Sequence, residues 1–345
     1  MRSPTIKDVA SRAGISEKTV SRVVNGESGV HERTRLKVQQ AIAELGYQPD
    51  LSARSLRNGG RFYGLGLVYD NPNAHYVIGM QEGVLSACEE RGYGLQILPC
   101  KADSPQLATK LLVARQRARL GGLILTPPIS EQPHILHALD EQELPFMRIV
   151  SASSEPDDGL PCVYVDDRSA AREITTHLIQ LGHARIGFLG GDQHGSNIER
   201  YAGYVEALGN HGIPLDEQLV VNSHFTFDDG FSAARRLLTI EPRPTAIFGS
   251  NDEIAAGVLA AARSVGLSVP WDLSVAGFED SPFSRQAWPA LTTARQSPHD
   301  IAKAAALRLM QLIESTSHDT GDAAPHRFAP QLVVRSSTAP PRSAA

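Results

Sequence analysis

The chain has little cysteine: Cys88, Cys100 and Cys162 lie far apart in 345 residues, with no CxxC pair. That spacing offers neither a disulfide framework nor a zinc site and suits a reducing compartment, so a cytoplasmic protein is expected. No apolar run approaches the roughly 20 residues that span a bilayer. The N-terminus lacks the charged-then-apolar pattern of an export signal, and no membrane partner is expected. Signatures of catalysis are absent too. The chain has no GxSxG and no phosphate-cradling GxxxxGK[ST], and GLGLVY after Phe62 lacks the third glycine of a GxGxxG. His134 and His137, spaced i, i+3, have no further ligand close in sequence; they read as surface residues, as do His177 and His183. The expectation is no catalytic residue, no metal and no cofactor.

The net charge of −5 argues on its own against nucleic acid, but its distribution points the other way. Residues 1–61 hold 11 Lys and Arg against 6 Asp and Glu, a balance of +5, while the remainder holds 22 against 32, or −10. A basic head on an acidic body is the asymmetry of one small module that meets phosphate. The same +5 would also serve solubility alone.

The head's pattern is more specific. Thr5 can cap a helix with Ile6, Val9, Ala10 and Ala13 on one side. Gly14 supplies a tight reversal, and Ser16 caps a second helix turning Val20, Val23 and Val24 inward. Two short helices around a glycine make a helix-turn-helix, whose second helix enters the major groove; a small amphipathic pair without a DNA role has the same spacing. Glu17, Lys18, Ser21, Arg22 and Asn25 fall on the outward face. A third helix, about Glu32 to Leu45, carries Leu36, Val38, Ile42 and Leu45 inward and stops at Gly46. Leu51 to Arg57 can form two helical turns, marginal in isolation, before Asn58, Gly59 and Gly60. It reads either as a passive linker or as a segment ordered on binding.

From Phe62 the texture becomes βαβα, with short and nearly continuous apolar strands, which implies parallel sheets covered by helices on both faces. The pattern restarts after SASSEPDDGLP with CVYVDD. The fold class expected is α/β: a small all-α helix-turn-helix head plus a two-lobed body of two doubly wound parallel sheets. Its divisions are 1–48 for the head, 49–61 for hinge and linker, 62–335 for the body, and 336–345 for a tail of disordered composition.

In this order, IKDVASRAGISEKTVSRVVNG, RTRLKVQQAIAELGYQPD, ARSLR, LGHARIGFLGG, ERYAGY, PTAIFGSNDEIAAGVL, VPWDLSVAGFED and PALTTARQ resemble the LacI/GalR family of bacterial transcription regulators, over roughly residues 3–335. The resemblance implies a homodimer on near-palindromic operator DNA, dimeric because residues 336–345 lack a heptad helix. By similarity Glu17 and Lys18 occupy the variable specificity positions and Arg22 reads a base edge. Ser16, Thr19, Ser21, Asn25 and Thr34, with Thr5 at the head's first cap, position the head on phosphates. Ala53 lets paired hinge helices approach, and Leu56 wedges into the minor groove. His31 stands where the family commonly has a small hydroxyl cap, which places that cap in question.

Ligands of open α/β sheets bind beyond the carboxyl ends of the strands, where Asp70, Thr126, Arg148, the loop GGDQHGSN, Asn251 and Glu279 fall. With Tyr76 and Phe225 they suit a sugar-like effector. By similarity Arg200, Asn251 and Glu279 are the main effector contacts, Phe225 the stacking platform, and His194 and Ser196 loop contacts. Asn251 alternatively caps a helix, and Glu279 and Asp280 alternatively are plain loop acids. The family usually has Asp at 279. It often has an acid on the strand where Arg148 and Val150 stand, so an effector with a carboxylate or phosphate, or a longer saccharide, is expected. Arg148 alternatively pairs with Asp70 or Asp166. The implied function is an effector-released repressor of carbohydrate-utilisation genes. Its alternatives are a corepressor-dependent regulator and, outside regulation, a two-lobed sugar receptor.

Overall fold

The computed structural model describes residues 4–24, 29–47, 64–154, 156–191, 195–222, 224–314 and 326–342. Contacts divide the chain after Tyr63 into two compact units.

The first unit is a three-helix head: α1 (Ile6–Ala13), α2 (Glu17–Val24) and α3 (Glu32–Leu45). Asp8 closes the start of α1 by accepting from both the backbone N–H and the hydroxyl of Thr5, each at 2.7 Å. Gly14 ends the helix at φ 66°, a left-handed conformation that favours glycine. Val9, Val20 and Val38 are fully buried, with Ala10, Val23 and Ala41 beside them and Ile6, Ala13, Val24, Ile42 and Leu45 packed around. Leu36 departs from expectation, being 58% exposed. It lies two residues from Val38, about 200° around a helix, so both cannot face one core. His31 does cap α3, its Nδ1 accepting from Arg33 N at 3.4 Å. The imidazole thus replaces the small hydroxyl through a long bond.

The second unit has two lobes. The first is a six-stranded parallel sheet of β1 (Gly64–Tyr69), β2 (Gly94–Pro99), β3 (Leu120–Leu125), β4 (Phe146–Ser151), β5 (Cys162–Val165) and β11 (His326–Phe328). Its order is β11-β5-β4-β3-β1-β2. The second is a four-stranded parallel sheet, β7-β6-β8-β9, formed by β6 (Ile186–Gly190), β7 (Val220–Asn222), β8 (Ala246–Gly249) and β9 (Ser274–Ala276). An antiparallel pair joins β10 (Thr293–Arg295) to β12 (Gln331–Val333). Helix α4 (Ala74–Arg91) packs on α12 (Pro298–Glu314) in the first lobe, and α7 (Asp167–Gln180) on α8 (Gly195–Asn210) in the second. In the second lobe α9 (Phe227–Leu237) packs on α10 (Asp252–Ser264). Glycine permits these approaches: a Cβ at Gly83 would strike the His299 carbonyl, and one at Gly203 the Arg168 carbonyl.

Two expectations are corrected. CVYV does not open the second lobe; as β5 it pairs with β4 in the first sheet, and the chain crosses at Asp166–Asp167. Four apolar residues buried on both faces carry no mark of which sheet they join. The tail is not disordered through 342. Val275 N donates to Ser337 O at 2.9 Å, and Ser337 is fully buried. Ala339 O meets His183 Nε2 at 2.9 Å, and Arg342 pairs with Asp272 at 2.8 Å. Hydrogen bonds rather than apolar side chains hold this segment, so its composition concealed it.

Two of the four histidines reading as surface residues, His177 and His183, are corrected with it, while His134 and His137 are exposed. His183 is 1% exposed, its Nδ1 bonded to Thr245 Oγ1 at 2.9 Å, and His177 Nε2 meets Thr338 Oγ1 at 3.0 Å. No helix of the described residues is long and apolar enough to cross a membrane.

Candidate functional site

In the head, the sequence singled out one face of α2. Glu17 and Lys18 are exposed there, and Thr19, Ser21 and Arg22 are half-buried. Ser16 Oγ accepts from Thr19 N at 3.2 Å and meets Thr19 Oγ1 at 2.9 Å, which fixes the start of the helix. Thr34 lies in the first turn of α3, and Thr5 starts α1. Asn25, the hinge residues Ala53 and Leu56, and His194 lie outside the described residues.

In the body, a cleft of about 580 Å³ opens between the lobes. Seven residues expected at the effector site line it: Asp70, Tyr76, Ser196, Arg200, Phe225, Asn251 and Glu279. Two do not. Thr126 is buried and donates its hydroxyl to Val68 O at 3.1 Å, leaving Pro127 and Pro128 to line the wall. Arg148 is captured by Asp158 at 2.7 Å, in the loop after β4. It pairs with neither Asp70, which holds Lys101 at 3.2 Å, nor Asp166, which holds Arg327. The expectation of a carboxylate or phosphate effector loses the support that Arg148 gave it.

Arg200 is the structural centre of the cleft. Its Nε and Nη2 donate to Asp167 Oδ1 at 3.2 and 3.1 Å, and its Nη1 donates to Ser250 O at 2.6 Å. Its guanidinium carbon stands 3.9 Å from the centre of the Phe278 ring. Asp167 also accepts from the Ser151 hydroxyl of the opposite lobe. Burial raises the Asp167 carboxyl above its usual range, against the pull of Arg200 and Ser151.

Glu279 and Asp280, side by side, have different roles. Asp280 is clamped by Arg295 at 2.7 Å and Arg335 at 2.5 Å. Glu279 faces the cleft from a backbone at φ 111°, a strained conformation for a residue with a Cβ. Its Oε2 accepts from Asn73 Nδ2 at 2.7 Å, joining the second lobe to the first. Burial, reinforced by Asp252 and Glu253, lifts its carboxyl to about 8 although Arg200 opposes it. Tyr76 shares this field: burial first, then Asp167 and Glu279, push its phenol above the ordinary range, Arg200 opposes and Glu131 adds to the rise.

Asn251 both caps and faces the cleft. Its Oδ1 accepts from Ile254 N at 2.8 Å and caps α10, while its buried Nδ2 has no protein partner. Gln296 Oε1 is likewise buried without a partner. An unpaired donor and an unpaired acceptor in one cleft are groups that a hydroxyl-bearing ligand satisfies. Sequence reasoning missed Asn73, Asp167 and Gln296. Asp167 follows a strand whose sheet was misplaced, and Gln296 follows a strand of three residues. Asn73 lay within the DNPN segment as a recognisable cap.

Among the described residues no group of three His, Cys, Asp or Glu side chains could hold a metal, and His137 pairs with Glu141 at 3.1 Å. The three cysteines are free thiols, and burial pushes Cys88 up to about 12.

Two family patterns match the chain: "Bacterial regulatory proteins, lacI family" over residues 5–50 and "Periplasmic binding protein-like domain" over 175–338. Catabolite control protein A of Priestia megaterium is 31% identical over 331 residues, 94% of this chain and 97% of the relative. A transcriptional regulator CelR–cellobiose complex is 31% identical with a TM-score of 0.71, covering 97% of this chain and 99% of that one. A lac repressor dimer bound to operator and the anti-inducer ONPF is 27% identical with a TM-score of 0.74, covering 98% and 100%. With a helix-turn-helix head, two doubly wound lobes and relatives matched over nearly their whole length, the chain belongs to the lacI family of bacterial regulatory proteins.

Proposed function

We propose that the chain is a dimeric, cytoplasmic transcriptional repressor, acting by binding rather than catalysis, that an uncharged saccharide releases from a near-palindromic operator. The cleft carries this reading. Asn251 Nδ2 and Gln296 Oε1 await partners, Glu279 offers a carboxyl, and Tyr76 and Phe225 supply faces for a sugar ring. Its cations are engaged, Arg200 by Asp167 and Lys101 by Asp70, which disfavours an anion. In the head, Lys18 and Arg22 suit guanine O6/N7, and Glu17 suits cytosine N4. Ser16, Thr19, Ser21, Asn25, Thr34 and Thr5 hold the backbone, with Ala53 and Leu56 at the operator centre.

The test is a thermal-shift screen of neutral sugars, sugar acids and oligosaccharides, followed by operator release with each hit. A saccharide must raise the melting temperature with concentration and weaken DNA binding. If hits tighten DNA binding, the chain is corepressor-dependent. If no DNA is bound under any condition, it is a receptor of another kind.

A further inference from the structure

Glu131 ends a single 3₁₀ turn, Ile129–Glu131, just after β3 in the first lobe. Its Oε2 accepts from Gly195 N, the first residue of α8 in the second lobe, at 3.0 Å. The approach is close, because a Cβ at Gly195 would collide with the Glu131 carboxyl group. A helix start presents unpaired N–H groups and the positive end of the peptide dipoles, which favours an anion. Helix α8 has no acid in its own first turn, so the opposite lobe supplies one. Ser196, the next residue, lines the cleft, and Glu131 lies close enough to the cleft residue Tyr76 to help raise its phenol.

We propose that Glu131 is a specificity-determining residue that bars phosphorylated and carboxylated sugars from the cleft, by holding with its own carboxylate the helix terminus such a group would occupy. The inference rests on the reading of the cleft as a saccharide site. It extends a pattern in which positive groups at the cleft are met internally: Asp167 meets Arg200, Asp70 meets Lys101, and Glu131 meets the start of α8. An entering phosphate must displace the Glu131 carboxylate from Gly195 N, and like charges brought together in a partly desolvated cleft repel. A neutral sugar leaves the carboxylate in place.

The experiment uses the full chain as wild type and as Glu131→Gln, Glu131→Ala and Glu131→Asp. Thermal stability is followed during titration with inorganic phosphate, against sodium chloride at matched ionic strength. Each protein is also titrated with glucose and glucose 6-phosphate. Glu131→Gln keeps the shape and removes the charge, and it should bind phosphate at least tenfold more tightly than wild type. Glu131→Ala should behave alike, and Glu131→Asp should retain the exclusion. The preference for glucose over its phosphate should fall by at least tenfold in the uncharged variants. If these variants respond to phosphate as wild type does, the proposal is overturned, whatever sugars bind. If the phosphate response appears but no saccharide binds any form, the role of Glu131 at the helix start stands and the saccharide reading fails.

Discussion

Replacing Arg200 by Met removes a charge from a place where its partner cannot be rehydrated. Asp167 is 1% exposed and Arg200 4%, joined by two bonds of 3.1 and 3.2 Å, with a third of 2.6 Å to the Ser250 carbonyl. Breaking a buried ion pair by removing one partner costs about 3–5 kcal/mol, because the remaining charge is stranded. Methionine fills much of the volume and keeps contact with Phe278, so cavity formation adds little. The stranded Asp167 escapes part of the penalty by taking a proton, and its carboxyl, already raised, rises further. For an acid with a raised folded-state pKa, stability is full below the unfolded value and is lost as pH climbs through the folded value. The deficit of Arg200→Met should therefore shrink on acidification, by up to about 1.4 kcal/mol per pH unit while one proton is exchanged. Urea denaturation of the body between pH 5 and 8 measures this, with Asp167→Asn added as a second change. The double variant should recover much of the loss. A single variant within about 0.5 kcal/mol of wild type at pH 8 would refute the reasoning, since surface substitutions are of that size.

Burial holds His183 below its usual value, so the folded state keeps it neutral. Stability is present above the unfolded value near 6.5 and should fall as pH drops below it; His183→Gln, followed by thermal melting, should be less stable at pH 7.5 and show a flatter acid slope. Glu279, lifted to about 8, contributes the opposite trend, losing stability as pH rises from about 4.5 through 8. Glu279→Gln should abolish that slope and be the more stable protein above pH 8, which chemical denaturation at pH 6 and 9 checks. Lys18→Ala should cost about 1–3 kcal/mol on the preferred operator and relax base preference at one position, read by selection from random duplexes. A uniform loss on every sequence would mark Lys18 as a phosphate contact instead.

The elements were legible where periodicity was long. Helix α3 runs Glu32–Leu45, where its apolar spacing put it, and Gly14 and Gly46 mark the turns expected of them. Sheet membership was not legible, because Cys162–Val165 would suit the sheet of either lobe. The second lobe's C-terminal segment was hidden for another reason: Ser337, Thr338 and Ala339 are held through polar atoms, which leave no hydrophobic pattern. At the cleft, Asp70, Asn251 and Glu279 were found beyond strand ends, whereas Asn73 and Asp167, whose partners Glu279 and Arg200 are distant in sequence, were not. Arg148 became structural through Asp158, ten residues along, and Gln296 entered through a three-residue strand.

The crossing of the chain between lobes has a consequence for biogenesis. The first sheet is finished only when residues 326–328 lie beside β5, and the second lobe receives 336–342 later still. Separate in space, the lobes are interleaved along the polypeptide, so a ribosome must deliver nearly the whole chain before either can close. The head needs only its first 47 residues to gather its valine core and can be complete while the body is still being synthesised.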